Sequence, residues 1–239
     1  PRAQAMINRL GFNNKGVDHL VKQVKKHRFK GVLGINIGKN FDTPIEQAVD
    51  DYLLCREKVY GYADYITVNI SSPNTANLRD LQGESELDAL LGALSRRRNE
   101  LADEFDRCVP MALKVAPDLD DAAVVTIADI VSHHRMDAVI ATNTTIERTG
   151  VEGMEHSDEA GGLSGAPLKP LADRTLAALR EALPKEIALI GVGGITCGQD
   201  AVDKLDLGAD LVQFYTGMVY RGPELVTECL QAIAERKVG

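Results

Sequence analysis

The groups with chemical potential in this chain are amides and hydroxyls rather than acids and imidazoles. Asn69, Ser71, Ser72, Asn74 and Thr75 stand close together in the stretch Tyr65-Ile66-Thr67-Val68-Asn69-Ile70-Ser71-Ser72-Pro73-Asn74-Thr75. Taken alone, Ser-Ser-Pro-Asn makes a turn, because proline ends regular pairing and Ser and Asn bond to nearby backbone. Similar groups recur as Asn36 with Gly38-Lys39-Asn40, as Lys114, as Thr142-Asn143-Thr144, and as Tyr215-Thr216-Gly217. Asparagine offers both donors and acceptors to a flat heterocycle that carries both. One lysine among them can stabilise negative charge as it develops. The combination suits a pyrimidine-like ring held beside a flavin. Gly191-Val192-Gly193-Gly194, paired with the Tyr215 turn, suits a phosphate. Together they predict a cofactor with one terminal phosphate, such as FMN.

Absences narrow the chemistry further. None of the five histidines (His19, His27, His133, His134, His156) accompanies these groups, and no paired carboxylates do. Asp118, after Pro117, reads as the cap of the helix that follows. Metal-dependent hydrolysis, histidine-based acyl transfer and glycoside hydrolysis are disfavoured, and no metal site is expected. Lys114 is the discordant residue in Ala112-Leu113-Lys114-Val115-Ala116, since lysine is seldom buried without a partner. Asn8-Arg9-Leu10-Gly11-Phe12-Asn13-Asn14 has no strand pattern and reads as a loop with a helix cap at Asn14.

The elements that must position these groups follow from periodicity. Strand-like runs at Gly31–Ile37, Tyr65–Ile70, Met111–Ala116, Ala138–Thr142, Ile187–Val192 and Leu211–Phe214 are short and nearly wholly apolar, as in a sheet buried on both faces. Amphipathic segments lie between them at Val17–His27, Ile45–Tyr60, Ser85–Asp106, Asp120–His134, Lys169–Leu183 and Gln199–Leu207, and a last one runs from Pro223 to Arg236. Repeated β-then-α units imply a parallel sheet with helices outside. The candidate groups then gather at the carboxyl ends of the strands, where such folds place their sites. An open doubly wound sheet and a (β/α)8 barrel both fit. The barrel reading expects about six βα units here, with the first two strands upstream of Pro1. Glu147–Pro167 reads as a long glycine-containing lid loop.

Composition sets the class. A 239-residue chain that is 44% apolar and 26% charged is an ordinary globular one, read as a single unit over residues 1–239. Its net charge of −8 argues against a nucleic-acid groove. The four cysteines have no metal-like spacing and read as reduced thiols in a cytoplasmic setting. No apolar run approaches the roughly 20 residues that cross a bilayer. The start at Pro1, without an initiator Met, leads us to expect an upstream portion.

Seven segments in order resemble the dihydroorotate dehydrogenases: Asn8–Asn14, Ile35–Asn40, Asn69–Thr75, Lys114–Asp118, Ala141–Thr145, Gly161–Gly165 and Ile190–Ile195. The serine in the Ser-Ser-Pro-Asn turn resembles the class 2, quinone-dependent branch. The resemblance implies FMN-dependent oxidation of (S)-dihydroorotate to orotate in pyrimidine synthesis, on a TIM barrel. It makes Ser72 the base, with Thr75 and Phe12 in the proton relay. Asn8, Arg9, Leu10, Gly11, Phe12, Asn69, Asn74, Asn143 and Thr144 would meet substrate. Asn36, Asn69, Lys114, Thr142, Gly165, Gly194, Tyr215 and Thr216 would hold FMN, with Lys114 favouring the reduced flavin. The helices that handle quinone and attach such enzymes peripherally to the membrane would lie upstream of Pro1. Alternative readings are a Schiff-base aldolase barrel using Lys114, a non-catalytic module for a phosphorylated ligand or partner protein, and another FMN barrel that reduces pyrimidines.

Overall fold

The computed structural model describes residues 2–236, so Pro1 and residues 237–239 of the 1–239 unit lie outside the described residues. Its strands are β1 (Ala5–Asn8), β2 (Gly34–Ile37), β3 (Tyr65–Asn69), β4 (Met111–Val115), β5 (Ala138–Ala141), β6 (Gly162–Gly165), β7 (Ala188–Val192) and β8 (Leu211–Gln213). Its helices are α1 (Val17–Val24), α2 (Ala48–Val59), α3 (Glu84–Phe105), α4 (Asp121–His133), α5 (Lys169–Ala182), α6 (Gly198–Asp206), α7 (Thr216–Arg221) and α8 (Glu224–Arg236). Six strands form one parallel sheet in the order β2-β3-β4-β5-β7-β8, so the apolar runs read from the sequence are its members, trimmed at their ends. The sheet with its helices is an α/β half-barrel of the TIM type.

Alternation along each strand separates two environments. Ile35, Ile37, Ile66, Val68, Met111, Leu113, Val115, Val139 and Leu189 face the helices and form the main core. On α3, Leu87, Leu90, Leu91, Leu94 and Leu101 recur at helical spacing and pack into it. The opposite sheet face is thinner, with Ala112, Ala138, Ile140, Ile190 and Val192 clustered together. Asn69 pairs in register with Lys114, and Lys114 with Ile140, so one row of this face carries the amide and the lysine side by side.

Four local expectations are corrected. The Asn8 segment is not all loop: Asn8 ends β1, which pairs antiparallel with β6, Asn8 opposite Gly162. The stretch expected as an uninterrupted lid loop therefore contains a strand. Asp118 does not cap α4; Asp120 does, accepting from Ala123 N at 2.8 Å. Asn14 is not the cap of α1, whose N-cap is Gly16; its Oδ1 accepts from Gly16 N at 2.7 Å in the turn just before. The buried stripe of α2 also includes an arginine, Arg56, whose Nη1 donates to Leu94 O.

Candidate active site

The loops leaving β3, β4 and β5 meet around Asn69. This residue is only 4% exposed, and its Oδ1 accepts from Ser71 N and Asn143 Nδ2, each at 3.2 Å, with Ser71 Oγ the same distance away. Asn143 Nδ2 also reaches Ser71 Oγ at 3.1 Å, and Ser71 Oγ donates to Lys114 O at 2.7 Å. The Tyr52 hydroxyl donates to Asn69 O at 2.7 Å and fixes the end of β3 from the core side. A convergence of this kind holds polar groups in one orientation, because every rotation would leave a buried donor unpaired.

Next to this node a cleft of about 240 Å³ opens at the strand ends. Lys114, Thr142, Asn143, Gly165, Gly193, Gly194 and Thr216 are among its lining residues. Thr216 Oγ1 donates to Ser164 Oγ at 2.9 Å, tying the β8 turn to β6. Burial lowers the Lys114 ammonium from 10.5 to about 8. Lys114 thus holds its proton less tightly in the fold than in the unfolded chain, so stability rises with pH between about 8 and 10.5 and carries the full burial cost below about 8. Urea unfolding at pH 7 to 10 should show the parent protein gaining on Lys114→Met as pH rises; parallel curves would contradict this.

The remaining candidates fall in three groups. Asn8, Leu10, Thr144 and Tyr215 also line the cleft, and Tyr215 is 71% exposed at its rim. Gly11, Phe12, Ser72, Asn74 and Thr75 lie outside the cleft lining. Asn74 Nδ2 donates to Asn8 Oδ1 at 3.2 Å, Ser72 Oγ accepts from Asn74 N at 3.3 Å, and the Phe12 ring packs against Gly38. Thr75 Oγ1 is buried and bonds to no group among the described residues. Arg9 and Asn36 stand apart from both: Arg9 is exposed and pairs with Glu159 at 2.8 Å, and Asn36 is exposed on β2.

A profile described as dihydroorotate dehydrogenase matches residues 2–236. The chain belongs to the dihydroorotate dehydrogenase family. A relative from Paraburkholderia phymatum, named dihydroorotate dehydrogenase (quinone), is 58% identical over 236 residues, 99% of this chain and 69% of the relative. One of the same name from Burkholderia multivorans is 56% identical over 237 residues, again covering 99% and 69%. A crystal structure of dihydroorotate dehydrogenase from Eimeria tenella in complex with ferulenol superposes with a TM-score of 0.88 at 33% identity, over 97% of this chain and 67% of that one. As a family, dihydroorotate dehydrogenases are flavin-dependent.

Sequence reasoning left the partners of several groups, in the site and away from it, unread. Ser71 was visible beside Ser72, yet only its partners show that it joins the β3, β4 and β5 ends. Met6 reaches the cleft from β1, a strand whose pairing partner is far away in sequence. Arg148 donates to Ile146 O, Glu147 O, Ser157 O, Glu159 O and Gly161 O, and so folds the segment after β5 around one guanidinium. His134 pairs with Asp88 at 2.7 Å beside His133, between α3 and α4 rather than at the strand ends. Among the described residues, no helix is long and apolar enough to cross a membrane.

Proposed function

We propose that the protein oxidises (S)-dihydroorotate to orotate in pyrimidine synthesis, using FMN, with a quinone as final acceptor. The observation that carries this is the buried Asn69–Ser71–Asn143 node beside Lys114. Its amides can meet the ring's carbonyl and N–H groups, and Ser72 stands on the same loop. When bound, the flavin supplies the hydride acceptor.

In this reading Asn8, Asn69, Asn74 and Asn143 orient the ring, with Thr144 beside them. Ser72 Oγ receives the C5 proton while its own proton passes on, and the hydride leaves from C6, so a carbon–carbon double bond forms and the charges balance. Serine is a poor base, so the proton needs an exit. The buried, unbonded hydroxyl of Thr75 supports one, and the family resemblance adds Phe12 to it. Lys114 places positive charge where negative charge develops. The donors along the cleft fit a phosphate-bearing cofactor: backbone at Gly165 and Gly194, the Thr216 hydroxyl, and Tyr215 at the rim. Asn36 and Thr142 complete the cofactor contacts, while Arg9, Leu10 and Gly11 cover the substrate.

Residues 1–239 are then the FMN-binding catalytic domain. Quinone and membrane contacts fall to N-terminal helices outside it, giving a cytoplasmic protein held peripherally at the membrane. The lowered pKa of Lys114 also suits an amine nucleophile. Family membership favours the flavin reading over the Schiff-base one.

The test is steady-state turnover with dihydroorotate and a short-chain quinone. Orotate and reduced quinone should appear in equal amounts; orotate formation that is indifferent to added FMN and quinone would reject the proposal. A narrower expectation concerns Gly194, which has φ +79 and where an added methyl would overlap Lys169. Gly194→Ala should carry about 1–3 kcal/mol of strain and lower FMN affinity about tenfold or more. Fluorescence titration of the apoprotein measures it, and unchanged affinity would remove Gly194 from the cradle.

A further inference from the structure

We propose that Arg79 is the positioning residue that holds the loops after β3, β4 and β5 in register around the reacting ring. This rests on the function proposed above and goes beyond it, because Arg79 does not line the cleft. Arg79 sits in the short 3-10 turn Leu78–Gln82, where Leu78 and Leu81 are buried and pin the turn to the core. Between these anchors its side chain runs inward.

The guanidinium reaches three separate loops. Nε donates to Ser71 O at 3.2 Å, Nη1 to Asp118 Oδ2 at 2.8 Å, and Nη2 to Thr144 O at 2.9 Å. Asp118 in turn accepts from Thr145 Oγ1, and Thr145 exchanges backbone bonds with Leu163 of β6. The same turn holds the β4 loop a second time, through Gln82 Oε1 and Ala116 N at 2.9 Å. Beyond the last sheet pairing these carbonyls need partners, and one planar fork supplies them all.

The placement of the two gripped carbonyls gives the arrangement its meaning. Ser71 O lies one residue before Ser72, the assigned base, and Thr144 O one residue after Asn143, the assigned clamp. The Arg79–Asp118 pair has side chains 21% and 14% exposed, so it is sheltered from the screening that weakens surface pairs. A shift of Arg79 would move the base and the clamp together. Lysine, a single point charge, could keep Asp118 but could not reach the two carbonyls as well.

The experiment compares the flavin-loaded parent protein with Arg79→Lys and Arg79→Met. Stopped-flow measures flavin reduction by dihydroorotate, and hydrogen exchange follows the amides of residues 71–75 and 143–145. Arg79→Lys should keep the parent's flavin content and melting temperature yet reduce flavin about tenfold or more slowly, because small misplacements are costly in catalysis. Both loops should lose protection together in each variant. Reduction by Arg79→Lys within twofold of the parent, or loss of protection in one loop only, overturns the proposal. If the parent itself fails to reduce flavin with dihydroorotate, the function reading falls, and hydrogen exchange alone then decides the role of Arg79.

Discussion

Ser72→Ala should reduce bound flavin with dihydroorotate about 100- to 10,000-fold more slowly than the parent, the range expected when a positioned proton acceptor is removed. Its flavin content should be unchanged. Ser72 is half-buried, and among the described residues the one bond its hydroxyl makes is a long one, accepted from Asn74 N at 3.3 Å. Removing that bond costs about 1 kcal/mol or less, so the turn survives and the effect is confined to chemistry. Orotate, whose one remaining C5 hydrogen is vinylic and is not transferred, should bind within about threefold of the parent; that is a difference below about 0.7 kcal/mol. Stopped-flow reduction and orotate titration together separate these outcomes. A reduction rate within tenfold of the parent would mean that Ser72 is not the base.

Asn69→Ala should damage fold and site at once. The substitution removes the side-chain acceptor of Ser71 N and one of the two acceptors of Asn143 Nδ2, in a place that is 4% exposed. Each buried donor left unpaired costs about 1–3 kcal/mol. Relaxation will recover part of this, so a fall of about 5–10 °C in melting temperature is expected, at roughly 2–4 °C per kcal/mol. Orotate affinity should drop about a hundredfold, because the Asn69 amide is gone from the ring and Asn143 loses one of the bonds that orient it. Asn69→Asp keeps the acceptor oxygens and should recover most of the stability while losing the amide donor needed at the ring. Equal melting temperatures for all three proteins would show that the node carries no load.

The legible part of the fold was the part set by local pattern. Tyr65–Asn69 and Met111–Val115 declare themselves by apolar content, and the helices between strands by their stripes. β1 and β6 did not, because each is four residues long and they pair across most of the chain, Ala5 with Gly165. No window of sequence holds that signal. Asp118 and Asp120 show the same limit from another side. Both suit a helix start, and the fold assigns the cap to Asp120 because Asp118 is taken by Arg79 and Thr145.

The candidate site divides along the same line. Lys114 was readable because a lysine inside an apolar strand violates a strong preference. Asn69 and Asn143 were readable because amides stood where strands ended. Arg79 and Arg148 were not, since arginine in a polar stretch is ordinary until its partners are known. Arg56 was hidden by helical spacing, which places its side chain inward among apolar neighbours.

The central claim is that the amide and hydroxyl groups at the ends of β3 and β5, with Lys114 of β4, hold one planar substrate against one flavin. Its most direct test is an anaerobic titration of the flavin-loaded protein with (S)-dihydroorotate, followed in the visible spectrum. The flavin band should bleach at one equivalent of substrate per flavin, with orotate formed in the same amount. A band that persists at saturating dihydroorotate would contradict the account.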